Sequence, residues 1–264
     1  METEIKKEPR RNISLIILIG IVIVFILYYS VMSALSPSRK LEEIKKEYGA
    51  KISEKKDSDS GITGDSTYVK LLKEKSFLQS RVVMAQTDSI YLTVNLEDST
   101  ANLEISGVAV HKAKIAVMKA SKILEGNENA ILSMLSAPFT ISHAIATIKK
   151  DPVMIKIAPK DTSEYKPDIM PDTSITEPVN YILETDQGVR IYVYQQENAK
   201  MSERVSQFRF DLNDRLKDTW SALKRIAVFK VPEYHPFIKI KLPRSDAKII
   251  YRAIPKNGQI AFFY

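Results

Sequence analysis

From Asn12 to Ser38 the chain runs 27 residues without a charged side chain, and most of that run is Ile, Leu and Val. An α-helix rises 1.5 Å per residue, so about 20 apolar residues cross the hydrocarbon core of a bilayer. Residues 13–35 meet that length, and a helix satisfies its backbone polar groups internally, as a bilayer interior demands. No second run of this kind follows. The pattern predicts one transmembrane helix over residues 13–35, with everything after it on one side of one membrane.

Flanking charge suggests which side. Lys6, Lys7, Arg10 and Arg11 crowd the short N-terminal flank, and such clusters stay in the cytoplasm. Arg39, Lys40, Lys45 and Lys46 follow the run, interleaved with Glu42, Glu43 and Glu47. On balance residues 1–12 are expected inside and the bulk of the chain outside. The rival reading is a cleaved signal peptide, with Ser33 and Ala34 as small residues near a cut. A signal peptide's apolar region is usually only about 7–15 residues long, shorter than this one. The expected location is a bacterial inner membrane, crossed once, with the C-terminal domain in the periplasm or outside the cell.

The remainder is long enough for one large or two small domains. It contains no cysteine, which excludes disulfides, thiolate metal sites and thiol nucleophiles together. The formal charge of +7 suits an anionic membrane surface or cell-wall polymer, and equally a plain solvated surface.

Residues 36–65 read as a stalk and linker. Arg39–Lys56 is dense in Lys and Glu and reads as a stalk or a short helix continuing from the membrane, and Asp57–Asp65 is polar with two glycines, the composition of a flexible connection. An outer domain then covers residues 66–264. Leu71, Lys75, Leu78 and Val82, with Leu72 beside them, give Ser66–Gln86 a helical stripe expected to dock on its own domain; it is too short for a pairing coiled coil. Alternation from Ser89 to Val117 predicts a meander of strands. Asn129–Ser136 reads as a short helix, Val153–Ala158 as a strand, and the proline-rich Pro159–Pro178 as a surface loop. Tyr181–Gln195 has hairpin form around Thr-Asp-Gln-Gly. From Ser202 to Lys224, Val205, Phe208, Leu212, Leu216, Trp220 and Leu223 line one helical face, opposite Arg and Asp. Such a stripe predicts a packing face. Strands over Phe237–Leu242 and Ile260–Tyr264 bracket a helical turn at Ser245–Ala253.

Little in the sequence carries chemistry. His111, His143 and His235 stand far apart, without metal-ligand spacing, so no metal is expected. Phosphate loops, dinucleotide fingerprints and the nucleophile elbow are absent from the sequence, and no cofactor is expected. Without a basic stripe interleaved with aromatics, nucleic acid is not an expected partner.

The stretch from Tyr234 to Tyr264 resembles the end of the L,D-transpeptidase catalytic domain. Lys241, Leu242, Pro243, Asp246, Ala247, Tyr251, Pro255 and Gly258 follow that family's order of a basic residue, Leu-Pro, Asp-Ala, a short helix and a Gly-containing turn. The strands from Ser89 are similar to the family's first strands. The Tyr181–Tyr194 hairpin is similar to the one carrying its upstream histidine. The resemblance implies an α+β fold, a β-rich mixed sheet or sandwich, with the 202–224 helix inserted on the sheet beside the old groove. The family's nucleophile is a cysteine thiolate assisted by histidine, and here it is missing. Matching His235 to the family's histidine puts Pro236 and Phe237 in place of its Gly and Cys. Counting back from Leu242 and Pro243 puts Lys239 at the cysteine position. Tyr192 stands where the upstream histidine is expected.

These readings predict a non-catalytic, membrane-anchored envelope protein. Its degenerate groove, lined by Tyr192, Tyr234, His235 and Phe237, would bind a protein partner or cell-wall peptide, or brace an envelope complex. Phe237, on an alternating strand, also suits plain core filling. The alternative is a cell-wall-modifying transpeptidase or hydrolase working without cysteine. His235 beside Tyr234 and Glu233 is its only acid/base set, and neighbours on a strand point to opposite faces. A homo-oligomer has no support in the sequence.

Overall fold

The computed structural model describes residues 13–49, 66–126, 129–150, 177–197 and 200–264. The expected linker Asp57–Asp65, the strand Val153–Ala158 and most of the loop Pro159–Pro178 lie outside the described residues. Contacts divide the chain into two units. One holds the N-terminal helix as far as Lys40, together with Leu216–Tyr234; the other holds Leu41–Arg215 and His235–Tyr264.

Helix α1 (Ile13–Tyr48) is long and apolar enough to cross a membrane. It does not stop where the charges begin. Of the two readings of this stretch, stalk or short continuing helix, Arg39–Tyr48 takes the second, and Ile44 and Tyr48 are buried in the main hydrophobic core of the second unit, with Leu41 packed against them. The spacing of Leu41, Ile44 and Tyr48 puts them on one helical face, with Lys and Glu on the others.

The second unit is mixed α/β, built on nine strands among the described residues. They are β1 (Tyr91–Asn95), β2 (Thr100–Ile105), β3 (Val108–Lys114), β4 (Val117–Ala120), β5 (Phe139–Ala146), β6 (Asn180–Thr185), β7 (Arg190–Gln195), β8 (Phe237–Leu242) and β9 (Gln259–Phe263). They form one mixed sheet in the order β3-β2-β1-β9-β5-β6-β7-β8-β4. Two neighbouring pairs are parallel, β1 with β9 and β7 with β8. Strand β5 joins the halves. Phe139 and Thr140 pair with β9, Ile141 onward pairs with β6, and the register slips between Ile141 and His143. An irregularity of this kind lets one strand turn from one neighbour to another.

Alternation along the strands sorts the side chains onto two faces. Leu92, Val94, Leu183, Ile191, Val193, Ile238, Ile240, Ile260 and Phe262 point into the main core. The short helices α3 (Asn129–Leu135) and α5 (Arg244–Ala253) close that core with Ile131, Met134, Leu135, Ala247, Ile250 and Tyr251. On the opposite face, α2 (Ser66–Ala85) covers the β1–β9 half: Met84 and Phe77 pack on Tyr91 and Ala261. Arg81 clamps this helix by a salt bridge of 3.0 Å to Glu104, which also accepts from Thr93 at 2.8 Å. Helix α4 (Met201–Ala227) connects the parallel strands β7 and β8. Parallel neighbours need such a crossover, so topology itself calls for this helix.

Helices α2 and α4 both depart from the expected packing. In α2 the buried line is Ser76, Ser80 and Met84, whereas Leu71, Leu78 and Val82 of the apolar stripe are exposed. In α4 the stripe Val205, Phe208, Leu212, Leu216 and Trp220 is exposed as well, with Phe208 at 65% and Trp220 at 60%. The inward face of α4 carries Glu203, Phe210, Asp211 and Asp214. The reason lies in what the sheet offers beneath it. Tyrosine hydroxyls and a lysine are better satisfied by carboxylates than by Leu or Val.

Candidate functional site

The surface under the first half of α4 is built by three neighbouring strands. Alternation puts Glu184 of β6, Arg190, Tyr192 and Tyr194 of β7, and Phe237 and Lys239 of β8 on one face. Registers place Glu184 beside Arg190 and Tyr192 beside Lys239. Tyr192 and Tyr194 stack with ring centroids 6.4 Å apart, and Phe237 meets Tyr192 edge-on at 6.4 Å. The Lys239 ammonium lies over the Tyr192 ring at 4.5 Å and near the Phe237 ring at 5.3 Å, which are cation–π distances.

Helix α4 closes this surface by hydrogen bonds. The Tyr192 hydroxyl donates to Asp214 at 2.9 Å, and the Tyr194 hydroxyl donates to Asp211 at 2.8 Å. Phe210 adds an apolar contact to the same cluster. At the helix start, Arg244 reaches Glu203 at 2.6 Å and Gln195 at 3.1 Å. Gln195 in turn accepts from the Val179 amide at 2.8 Å.

Ionisation follows from this closure. Burial, reinforced by the negative charge and hydrogen bond of Asp214, pushes the Tyr192 phenol far above its ordinary value. Burial and the Asp211 hydrogen bond do the same for Tyr194. Lys239 is lowered, because desolvation outweighs the attraction of Asp211 and Asp214. The Arg244 hydrogen bond holds the Glu203 carboxyl below the usual range.

Of the four residues assigned to the degenerate groove, Tyr192 and Phe237 are brought together in this cluster. His235 lies at its edge. Its Nδ1 is 3.2 Å from the Gly188 carbonyl and 4.0 Å from Glu184. A carbonyl only accepts, so in that contact Nδ1 carries the proton. Tyr234 is half-buried and belongs to the other unit. The residues that sequence reasoning passed over are Tyr194, Asp211 and Asp214. The alternation Phe237-Lys239-Lys241 was a readable signal that Lys239 shares the Tyr192 face. The i, i+3 spacing of Asp211 and Asp214 marked one polar helix line.

Chemically, the cluster has its groups committed to each other. Both tyrosines are hydrogen-bond donors to carboxylates, and the lysine lies against the Tyr192 and Phe237 rings. Among the described residues no group of three or more His, Asp or Glu side chains is placed to hold a metal ion. A second feature is a shallow groove of about 750 Å³ along the outer face of α2, lined by Leu71, Leu78, Val82, Val83 and Ser136.

No family model matches the chain, and neither a curated protein nor a solved structure does.

Proposed function

We propose that this protein is a single-pass membrane protein whose outer domain binds or braces a partner in a bacterial envelope without catalysing a reaction. The observation that carries the reading is the closure of the candidate groove. Helix α4 lies over Tyr192 and Tyr194 through two hydroxyl–carboxylate hydrogen bonds. The helix meanwhile turns Val205, Phe208 and Leu212 outward. A surface spending its polar groups on a covering helix, with apolar helix faces left exposed, suits recognition better than chemistry. The docking face in this reading is the α2 groove, where Leu71, Leu78 and Val82 offer apolar contacts to a protein or a cell-wall peptide.

The finer placement is part of the proposal. The apolar α1 supports the single membrane crossing, and Lys6, Lys7, Arg10 and Arg11 support a cytoplasmic N-terminus. The short matches over Lys241–Gly258 support descent from an L,D-transpeptidase scaffold whose nucleophile has been lost. Full-length protein in lipid vesicles, given a cell-wall tetrapeptide and a labelled D-amino acid, is expected to give no exchange above protein-free vesicles. Exchange that disappears in His235→Ala or Lys239→Gln would overturn the non-catalytic reading.

A further inference from the structure

The end of helix α4 carries the most exposed large apolar side chain among the described residues, Phe229 at 82%. Its neighbour Val228 is exposed too. The backbone there is a tight C-terminal cap. The Lys230 amide donates to the Arg225 carbonyl at 2.9 Å, and the Phe229 amide donates to the Ile226 carbonyl at 2.9 Å. That pair of bonds puts its middle residue in the left-handed region, usually glycine. Here it is Phe229, at φ 56°. A bulky aromatic in this conformation, aimed at solvent, is disfavoured on both backbone and hydration grounds. Such strain is informative where the surroundings supply a reason for it.

The surroundings are the apolar helix. Phe229 meets Tyr28 edge-on at 6.1 Å, and the Ser36 hydroxyl donates to the Pro232 carbonyl at 2.9 Å. All these residues belong to one unit. From Ile13, the first residue of α1, to Tyr28 the helix climbs about 22 Å, less than the about 30 Å of bilayer hydrocarbon. If α1 crosses the membrane, Tyr28 cannot stand clear of it, and neither can the ring beside it. The flanking chemistry agrees. Tyr28 and Tyr29 supply the aromatic pair typical of an interface. Lys224, 5.5 Å over the Trp220 ring, and Lys230 place positive charge beside the apolar tip. Arg225 is matched by Glu233 at 2.6 Å. An apolar tip flanked in sequence by lysines fits the headgroup–acyl boundary of an anionic bilayer.

We infer that Val228 and Phe229 form a wedge seated in the outer leaflet of the same bilayer that holds α1, at the level of Tyr28. This rests on the membrane anchorage proposed above. It adds a second point of lipid contact, more than 190 residues along the chain from the first.

The absence of cysteine makes the test clean, because one introduced thiol is the only labelling site. Full-length Val22→Cys, Phe229→Cys and Asn213→Cys, each carrying an environment-sensitive fluorophore, are reconstituted into vesicles of phosphatidylcholine and phosphatidylglycerol. Quenching is then read with doxyl-labelled lipid and with aqueous iodide. Asn213 lies on α4 about 20 Å before the helix end. Lipid quenching at 229 is expected to be several-fold stronger than at 213 and to approach that at 22. The same label in Val228→Cys serves if Phe229→Cys fails to fold. Quenching at 22 with a 229 label reached only by iodide overturns the wedge and leaves the anchor standing. A 229 label that lipid does not quench, but that added native membrane proteins shield, also overturns it, in favour of a protein partner. Loss of lipid quenching at 22 removes the anchor and the wedge with it.

Discussion

Tyr192 and Tyr194 show how single atoms can decide a helix's orientation. Their hydroxyls are covered by α4, and each must find an acceptor or leave a buried polar group unsatisfied. Asp214 and Asp211 answer them at 2.9 and 2.8 Å. Hydrogen bonds to charged groups contribute about 1.5–3 kcal/mol, so Tyr192→Phe and Tyr194→Phe should each lower stability by about 1–2 kcal/mol. Chemical denaturation of the full chain in detergent would read this. The same bonds give a signed pH dependence. Both phenols titrate higher in the folded chain than in the unfolded one. The folded state therefore holds its protons longer. Their contribution is complete below about pH 10 and is lost as pH climbs towards the raised folded values. The melting temperature should fall less steeply above pH 10 in the double Tyr→Phe variant than in the natural chain. Equal slopes would mean that these hydroxyls are not held as described.

Among the elements, the strands were the most legible. Alternation located β1, β2, β8 and β9, and the Thr-Asp-Gln-Gly turn located the β6–β7 hairpin, because a two-residue period survives wherever one face is buried. Strand β5 was missed. Its pattern, FTISHAIA, mixes buried Phe139 and Ile141 with exposed Ser142 and His143, since it changes partner midway. The candidate cluster was half legible. Tyr192 and Phe237 are named through the resemblance, whereas Asp211 and Asp214 read only as the polar side of an amphipathic helix. Periodicity finds a helix's two sides but does not say which one faces the sheet. In α2 that ambiguity went the other way from the expectation: small and polar Ser76 and Ser80 face inward with Met84. A single contrast tests it. Met84→Ala should cost about 2–5 kcal/mol, as large-to-small changes in a packed core do. Leu78→Ser, on the exposed stripe, should stay within about 0.5 kcal/mol. The reverse order would mean that α2 docks by its apolar stripe after all.

At the level of the whole molecule, α1 joins a run long and apolar enough to cross a membrane to turns that pack into a protein core, in one continuous helix. Its first part is apolar on every side, and its last turns contribute Leu41, Ile44 and Tyr48 to a protein core. The sequence marked the first role by absence of charge. It hid the second, because three apolar residues among Lys and Glu look like an ordinary charged helix. Ile44 is 3% exposed. Ile44→Ala in the full chain should cost about 2–4 kcal/mol of stability in the β-sheet unit, measured by amide hydrogen exchange in β1 and β7. No change in that exchange would show that residues 41–48 are dispensable to the fold.

The parallel pairing of β1 with β9 has a consequence for how the protein comes into being. Leu92 aligns with Ile260, so the middle of the sheet joins an early segment to a very late one. Ribosomes deliver these segments in order, and contacts between distant parts of a chain form slowly. Throughout that interval the edge of β1, with Leu92 and Val94, waits for its neighbour. A half-made copy thus carries a bare strand edge, an aggregation hazard that closes only when β9 arrives.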